Sequence, residues 1–404
     1  MQKLKTTSVG IYIGRKLDRD EASKNALLPH VLLKGCKVAP DSAEVAKRLE
    51  NLYGAKLRAS VTKRGDNQFM NFDGEVISDR YSADGEELIS GLLDLMLSVV
   101  FEPKTRCGAF LGDILEREKK NAIDRVKGLI NDKTQYANNR AIEEMFKDDI
   151  YSISEWGEVS EIEAIKPKVL FEHYKNVIAT SAINIFISGE VDVQKAKDEI
   201  EKRVSGLDFK KAELAKTEIP QKKCEKRDIT EVSELTQGKL AIGFMTNVSA
   251  KDDDFWALVV ANNIFGGGMG SKLFNNVREK LSLCYYVKTA IDRPKGYMLL
   301  YAGISFDKFK AATDEIFAQL SEMKSGNITD AELANAKSEI ANSLNACYDD
   351  QLQMQRFYMG NIVSGVDVSI EEYKEKVAMV TKDEVIAVIK KLECDTVYFL
   401  RGEE

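Results

Sequence analysis

The apolar and polar positions along the chain change period many times. "TTSVGIYIG" (Thr6 to Gly14) is apolar and β-branched, which predicts a strand. "DSAEVAKRLENLYG" has Val45, Leu49 and Leu52 on one face, Asp41 as a capping side chain three residues before Glu44, and Gly54 as a stop, so it predicts a helix. "KLRASVTKRGDNQFMNFDGEVIS" predicts a hairpin about Gly65-Asp66-Asn67. An apolar helix ending before Pro103, a long charged helix in "AFLGDILEREKKNAIDRVKGLIND", a helix in "KPKVLFEHYKNVI" and a strand in "AINIFISGE" complete the first half. Between them, "INDKTQYANNRAIEEMF" (Ile130 to Phe146) carries Tyr136 and Arg140 and is expected to be a solvated helical connection.

The second half repeats the order. "KLAIGFMT" predicts a strand, "DDFWALVVANNIF" a helix running into "GGGMGS", "SKLFNNVREK" another helix, and "CYYVKTAID" with "GYMLLYAGIS" a hairpin. Two helices open on Thr329/Glu332 and Thr381/Glu384 capping boxes, and "DTVYFLRGE" is the last strand. Eight elements recur in one order at a spacing of roughly 215 residues, too long for a solenoid, and the closing strands end alike in "ISGE" and "LRGE". The expected fold is α+β: two tandem homologous domains, each an antiparallel-rich sheet covered by helices on one face. The boundaries read as 1–205 and 231–404, with a charged connector at 206–230 that contains Pro220.

Composition narrows the chemistry. The chain has 404 residues and a net charge of −7 with both signs mixed, so no basic stripe suggests nucleic acid. No apolar run reaches membrane-spanning length and the amino-terminal run is too short for a signal peptide. Six cysteines (Cys36, Cys107, Cys224, Cys284, Cys347, Cys394) are scattered without C-x-x-C, which fits reduced thiols and a cytoplasmic setting. Only two histidines, His30 and His173, are present, so imidazole for a zinc site is scarce. His173, in "LFEHYKNVI", reads as a surface or packing residue.

The most specific segment is "NNIFGGGMGSKLFNNVREKLSLCYYV", Asn262 to Val287. It lacks the G-K-[ST] ending of a P-loop and follows a helix, which argues against phosphate binding. It resembles the second domain of the pitrilysin/insulinase (M16) metallopeptidases, in the half-length form that includes mitochondrial processing peptidase subunits. The likeness rests on the glycine turn and on Arg278 with Tyr285 seven residues later, and it extends over nearly the whole chain. It implies paired subunits around a chamber in which zinc cleaves extended peptides. By that resemblance Arg278 and Tyr285 are a substrate clamp donating to the peptide carbonyl. Read without it, they are a helix-surface charge and a sheet residue. Gly266, Gly267 and Gly268 are either a substrate-contacting lip, as the resemblance implies, or a sharp bend.

In active members the zinc lies in the first domain, on H-x-x-E-H plus a downstream carboxylate. Matching "NALLPHVLLKG" to that pattern places Ala26 at the first histidine, Pro29 at the glutamate and His30 at the second histidine. In "EREKKNAIDRVKG", Glu118 matches the preceding glutamate, and the ligand position falls on Arg125, with Asp124 beside it. One ligand of three and no general base remain. Two unit charges about 4 Å apart repel by roughly 4 kcal/mol at an effective dielectric near 20, and a divalent ion doubles this, so Arg125 opposes a metal unless it swings away. Pro29 is expected to interrupt the helix unless it falls in the first turn. His30 is then either the relic of a metal site or a partly buried histidine with a local hydrogen bond.

Three functions follow from the resemblance. The first is a catalytically deficient subunit, without cofactor of its own, that pairs with an active M16 peptidase carrying zinc and helps position the peptide. The second is a non-catalytic peptide-binding homodimer. The third is an autonomous zinc endopeptidase with other ligands, such as His30 with Asp124 or Glu118.

Overall fold

The structure is a computed structural model and describes residues 4–210, 212–219 and 225–403. Pro220 and Cys224 of the connector lie outside the described residues. The chain forms two compact units. One comprises Met1–Lys127, Ile153–Lys216 and Asp349–Tyr358; the other comprises Gly128–Ser152, Thr217–Tyr348 and Met359–Glu404. The units therefore do not follow the chain as two simple blocks. Each half of the sequence contributes one segment to the unit built mainly from the other half.

In the first unit, β1 (Thr6–Lys16), β2 (Lys56–Arg64), β3 (Asn67–Ile77) and β4 (Ala182–Ser188) form an antiparallel sheet in the order β2-β3-β1-β4. The β2–β3 turn is two residues long, and Gly65 takes a φ of +53° there, a left-handed conformation that glycine adopts without a Cβ penalty. The period-2 pattern of β1 divides its side chains between the faces. Val9, Ile11 and Ile13 enter a core with Leu27 and Leu28 of helix Arg19–Leu32, Leu92 and Met96 of helix Leu88–Phe101, and Leu170 and Val177 of helix Pro167–Thr180. On the other face, the Tyr12 hydroxyl lies 3.1 Å from Asp73 Oδ1 and 3.2 Å from the Gln355 side-chain oxygen and shares its single proton between them. Gln351 and Gln355 are buried, and their amides donate to the backbone carbonyls of Thr6 and Ser8.

The second unit has a five-stranded sheet, ordered β5-β9-β6-β8-β7: β5 (Arg227–Val232), β6 (Gly238–Met245), β7 (Cys284–Asp292), β8 (Tyr297–Ile304) and β9 (Glu393–Arg401). All pairs are antiparallel except β5 with β9. Leu240, Ile242 and Phe244 of β6 face the main core, with Phe265, Leu273 and Val388 among its members. The three capping boxes at Thr329/Glu332, Ser369/Glu372 and Thr381/Glu384 are all formed; the middle one opens a helix, Ile370–Met379, that the hydrophobic pattern does not single out.

Two expectations are corrected. Ile130 to Phe146 is not a solvated connection. It contains helix Lys133–Met145, whose Ala137, Ala141 and Met145 are buried against Ala241, Tyr398 and Leu400 on the second face of the sheet. Helices therefore cover both faces of this sheet. The small residues at i, i+4 let the helix lie close, and Gly243 supplies the matching notch: a Cβ there would overlap the Met145 sulfur. Gly10 does the same for Gln355 in the first unit. Tyr136 and Arg140 are engaged too, for the Tyr136 hydroxyl donates to Glu231 at 2.7 Å and Arg140 pairs with Glu143 and Glu144. The second correction concerns the connector 206–230, because β5 begins inside it. Its alternation of half-buried and exposed side chains and its high charge are those of an edge strand.

Gly243→Val is expected to destabilise the protein by about 1–3 kcal/mol in urea denaturation, because the branched side chain overfills the Met145 notch. Adding Met145→Ala should recover part of that loss, giving a non-additive cycle.

Candidate functional site

Helix Arg19–Leu32 carries the first candidate site. Asp18 caps its start by accepting from the Asp20 N–H. Pro29 does not interrupt it, contrary to expectation. The proline sits in the last turn, so only one intrahelical hydrogen bond, to the Asn25 carbonyl, is removed before the helix ends anyway. The Leu33 N–H still reaches the Pro29 carbonyl at 3.2 Å. Ala26 is buried one turn before His30 and offers only a methyl group.

The structure brings His30 and Arg125 together. Arg125 Nη1 donates to His30 Nε2 at 2.8 Å. Arginine has no acceptor, so the Nε2 lone pair must accept and the ring proton sits on Nδ1. The Arg125 guanidinium also lies 5.6 Å from the centre of the Trp156 ring, in cation–π range. Glu118 is buried behind them, paired with Lys34 at 3.3 Å and accepting from Asn121. Burial, and secondarily the Arg125 charge, push the His30 imidazolium pKa down to about 4 from 6.5, against an opposing pull from Glu118. His30 is thus a neutral imidazole whose lone pair a fixed cation already uses.

Catalytic zinc requires about three lone-pair donors and an open position. This place offers one imidazole nitrogen, a methyl group, a proline ring and a guanidinium, so the residues present do not fit the ion. Among the described residues, no group of three or more His, Cys, Asp or Glu side chains is placed to hold a metal.

His173 is the packing histidine of its two readings. Gln68 donates to the Ala22 and Glu155 carbonyls, which leaves its own side-chain oxygen to accept from Asn25 at 2.9 Å. The Asn25 oxygen then accepts from His173 Nε2 at 2.7 Å, so this ring carries its proton on Nε2. Burial lowers its pKa to about 4 as well.

The second candidate site lies wholly in the other unit. Helix Phe255–Asn262 continues as a π-helical turn, Asn263–Gly267, and a second π-helical stretch, Leu273–Lys280, carries Arg278. Arg278 stacks on Phe274, 4.8 Å from the ring centre, while the Glu279 carboxylate stays 3.6 Å from Nη1, beyond hydrogen-bond reach. Tyr285 is the extra residue of a bulge at the start of β7, since the register passes from Cys284↔Ile304 to Tyr286↔Gly303. A bulge turns its residue out of the pleat, and Tyr285 is 60% exposed.

Arg278 and Tyr285 line one cavity of about 390 Å³, with Glu279, Ser282, Ser305 and Lys308. The Tyr285 and Ser305 hydroxyls are 3.4 Å apart, a long contact that leaves both available. Gly266, Gly267 and Gly268 do not line the cavity. A Cβ on Gly266 would press on Leu273 and Thr289, and one on Gly267 on Asn262, so the run is a close-packed bend. Sequence reasoning missed Trp156, Ser305 and Lys308. None of the three left a sequence signal, because Ser305 reaches Tyr285 only through the bulge between Cys284 and Tyr286.

Residues 164–340 match the family model described as peptidase M16 inactive domain. The whole chain is 32% identical to YmfF of Bacillus subtilis strain 168, described as a probable inactive metalloprotease, with all of this chain and 94% of that protein covered. It is 20% identical to YmxG of the same organism, an uncharacterized zinc protease, over 96% of this chain and 91% of that one. Among solved structures, a conserved protein from Enterococcus faecalis V583 superposes with a TM-score of 0.86 at 26% identity, covering 100% of this chain and 95% of that one. A peptidase M16 inactive domain from Pseudomonas fluorescens superposes with a TM-score of 0.78 at 20% identity, covering 100% and 94%. The chain belongs to the M16 metallopeptidase family, and its two antiparallel-rich units are that family's fold.

Both histidines have folded pKa values below 6.5, so below that pH the unfolded chain binds more protons than the folded one. Their contribution to stability is complete above pH 6.5 and is lost as the pH falls toward 4. The urea midpoint is expected to decline across this window. In an NMR titration, Arg125→Ala should raise the His30 pKa only part of the way to 6.5, because burial remains the larger cause.

Proposed function

We propose that this chain is a catalytically deficient M16 subunit that holds no catalytic zinc of its own. It pairs with an active, zinc-bearing M16 chain and completes that chain's peptide site through Arg278 and Tyr285. Its setting is the cytoplasm, in keeping with the free thiols of Cys36, Cys107, Cys284 and Cys394.

One contrast carries this reading. In the first unit the surviving imidazole is capped by Arg125. In the second, Arg278 and Tyr285 share a cavity, Arg278 with Glu279 no nearer than 3.6 Å and Tyr285 with only a long 3.4 Å contact to Ser305. A guanidinium and a phenol fixed beforehand can donate to a peptide carbonyl and stabilise the oxyanion that develops on it, but neither activates water. The hydrolytic water and its metal therefore belong to a second chain. The description of YmfF as a probable inactive metalloprotease supports the catalytically deficient part of this reading.

The test is co-purification with an M16 chain from the same organism that has an intact H-x-x-E-H. Peptidase activity should appear only in the mixture, with about one zinc per pair and none retained by this chain alone. Arg278→Ala should lower the mixture's kcat by about 10²-fold. Undiminished activity of that variant would remove the complementing role. A partner-independent homodimer that binds peptide without cutting it would replace this reading with a scaffold. Stoichiometric zinc on the isolated chain, lost on His30→Ala, would overturn the metal assignment.

A further inference from the structure

The cavity around Arg278 contains more positive charge than a neutral carbonyl requires. Lys308 lies just past β8 and lines the cavity with Arg278. Its Nζ donates to the Ser282 carbonyl at 2.8 Å, which anchors the ammonium over the cavity. An ammonium has three donors, so two remain. Ser282 adopts a left-handed φ of +50°, a conformation unfavourable to a side chain bearing a Cβ. Lys308 thus holds a strained turn in place and presents its charge to the same space as the guanidinium.

We propose that this cavity binds a carboxylate of an extended peptide, and that Lys308 is the residue that sets this specificity. The proposal deepens the peptide-site reading above and rests on it. The lining has two cations, Arg278 and Lys308, and one carboxylate, Glu279, a net charge of +1. That balance suits a monoanion. A phosphate dianion would meet the Glu279 carboxylate with a full second charge uncompensated. Arg278 has five N–H donors, enough to add a charge-assisted contact to the carboxylate while leaving others for the peptide carbonyl, and the Ser305 hydroxyl can donate from the rim. Phe274 beneath the guanidinium fixes its plane without consuming its donors. The carboxylate has two sources in a peptide, the free carboxyl terminus or an internal Asp or Glu.

Fluorescence anisotropy on the purified chain with N-terminally labelled, unstructured decapeptides distinguishes them. One pair differs only in a terminal acid or amide. A second pair, both amidated, differs only in two internal Glu or two internal Gln. In one of the pairs, the carboxylate member should bind about five- to tenfold more tightly, with the ratio shrinking as salt rises. The pair that shows the ratio identifies the source. Lys308→Met should bring the ratio close to one while leaving the amide or Gln peptide unchanged. Lys308→Arg, which keeps both the charge and the Ser282 contact, should preserve it and so controls for damage to the turn. Equal binding within both pairs, no binding of any peptide, or a ratio that survives Lys308→Met would overturn the carboxylate proposal. None of these outcomes bears on complementation, which is decided by Arg278→Ala in the mixed complex.

Discussion

The hydrogen bond from Arg125 to His30 governs what the first unit can do. An imidazole lone pair can face a proton, a metal or a donor, and here it faces a donor that never loses its charge. That choice has consequences around it. The guanidinium needs a partner for its face, and Trp156 provides one. Glu118, buried nearby, needs a cation, and Lys34 rather than a metal supplies it. Burial keeps His30 neutral, which keeps its lone pair available to Arg125, so the arrangement is self-consistent without an ion. Reversing it would require several coordinated substitutions, because Ala26 and Pro29 would still contribute no donors.

The second unit is arranged in the opposite way. Local irregularities there turn polar side chains toward a cavity rather than into one another. The π-helical stretch Leu273–Lys280 seats Arg278 on Phe274, and the bulge in β7 turns Tyr285 outward. π-helical turns and bulges each forgo some regular hydrogen bonding, and they persist where a side chain must be aimed. The duplicated fold thus carries one site with its polar groups internally paired and one with them facing a cavity.

Much of this was legible in the sequence, in ways that follow the range of the forces involved. The strands, the capping boxes at Thr329 and Thr381, and the duplication depend on neighbours within a few residues, and a periodic pattern records them. That "NALLPHVLLKG" offers one imidazole and no carboxylate was readable for the same reason. That Arg125 would bond His30 rather than swing away was not, because 95 residues separate them and Trp156, which fixes the guanidinium, has no periodic signature. Lys308 was hidden likewise, since its place over Ser282 depends on the β7–β8 register and on a left-handed turn. Pro29 misled because proline's cost depends on how much helix follows it, and only a few residues do.

Helix Lys133–Met145 shows why a polar pattern can conceal a buried element. Its sequence reads as solvated because its inward face uses alanines, which contribute little hydrophobic signal, and its outward face carries Arg140, Glu143 and Glu144. What holds it is close approach rather than apolar bulk: Ala137 and Ala141 bring the backbone near the sheet, and the absence of a Cβ at Gly243 admits Met145. The same device recurs at Gly10, where the occupant is the polar Gln355, paired with Tyr12 and the Ser8 carbonyl. The notch is filled once by a thioether and once by an amide, so the same close approach is met by side chains of different chemistry. The helix bearing His30 shows the same separation of shape from chemistry: Leu27 and Leu28 seat it in the core whatever donors its other residues offer.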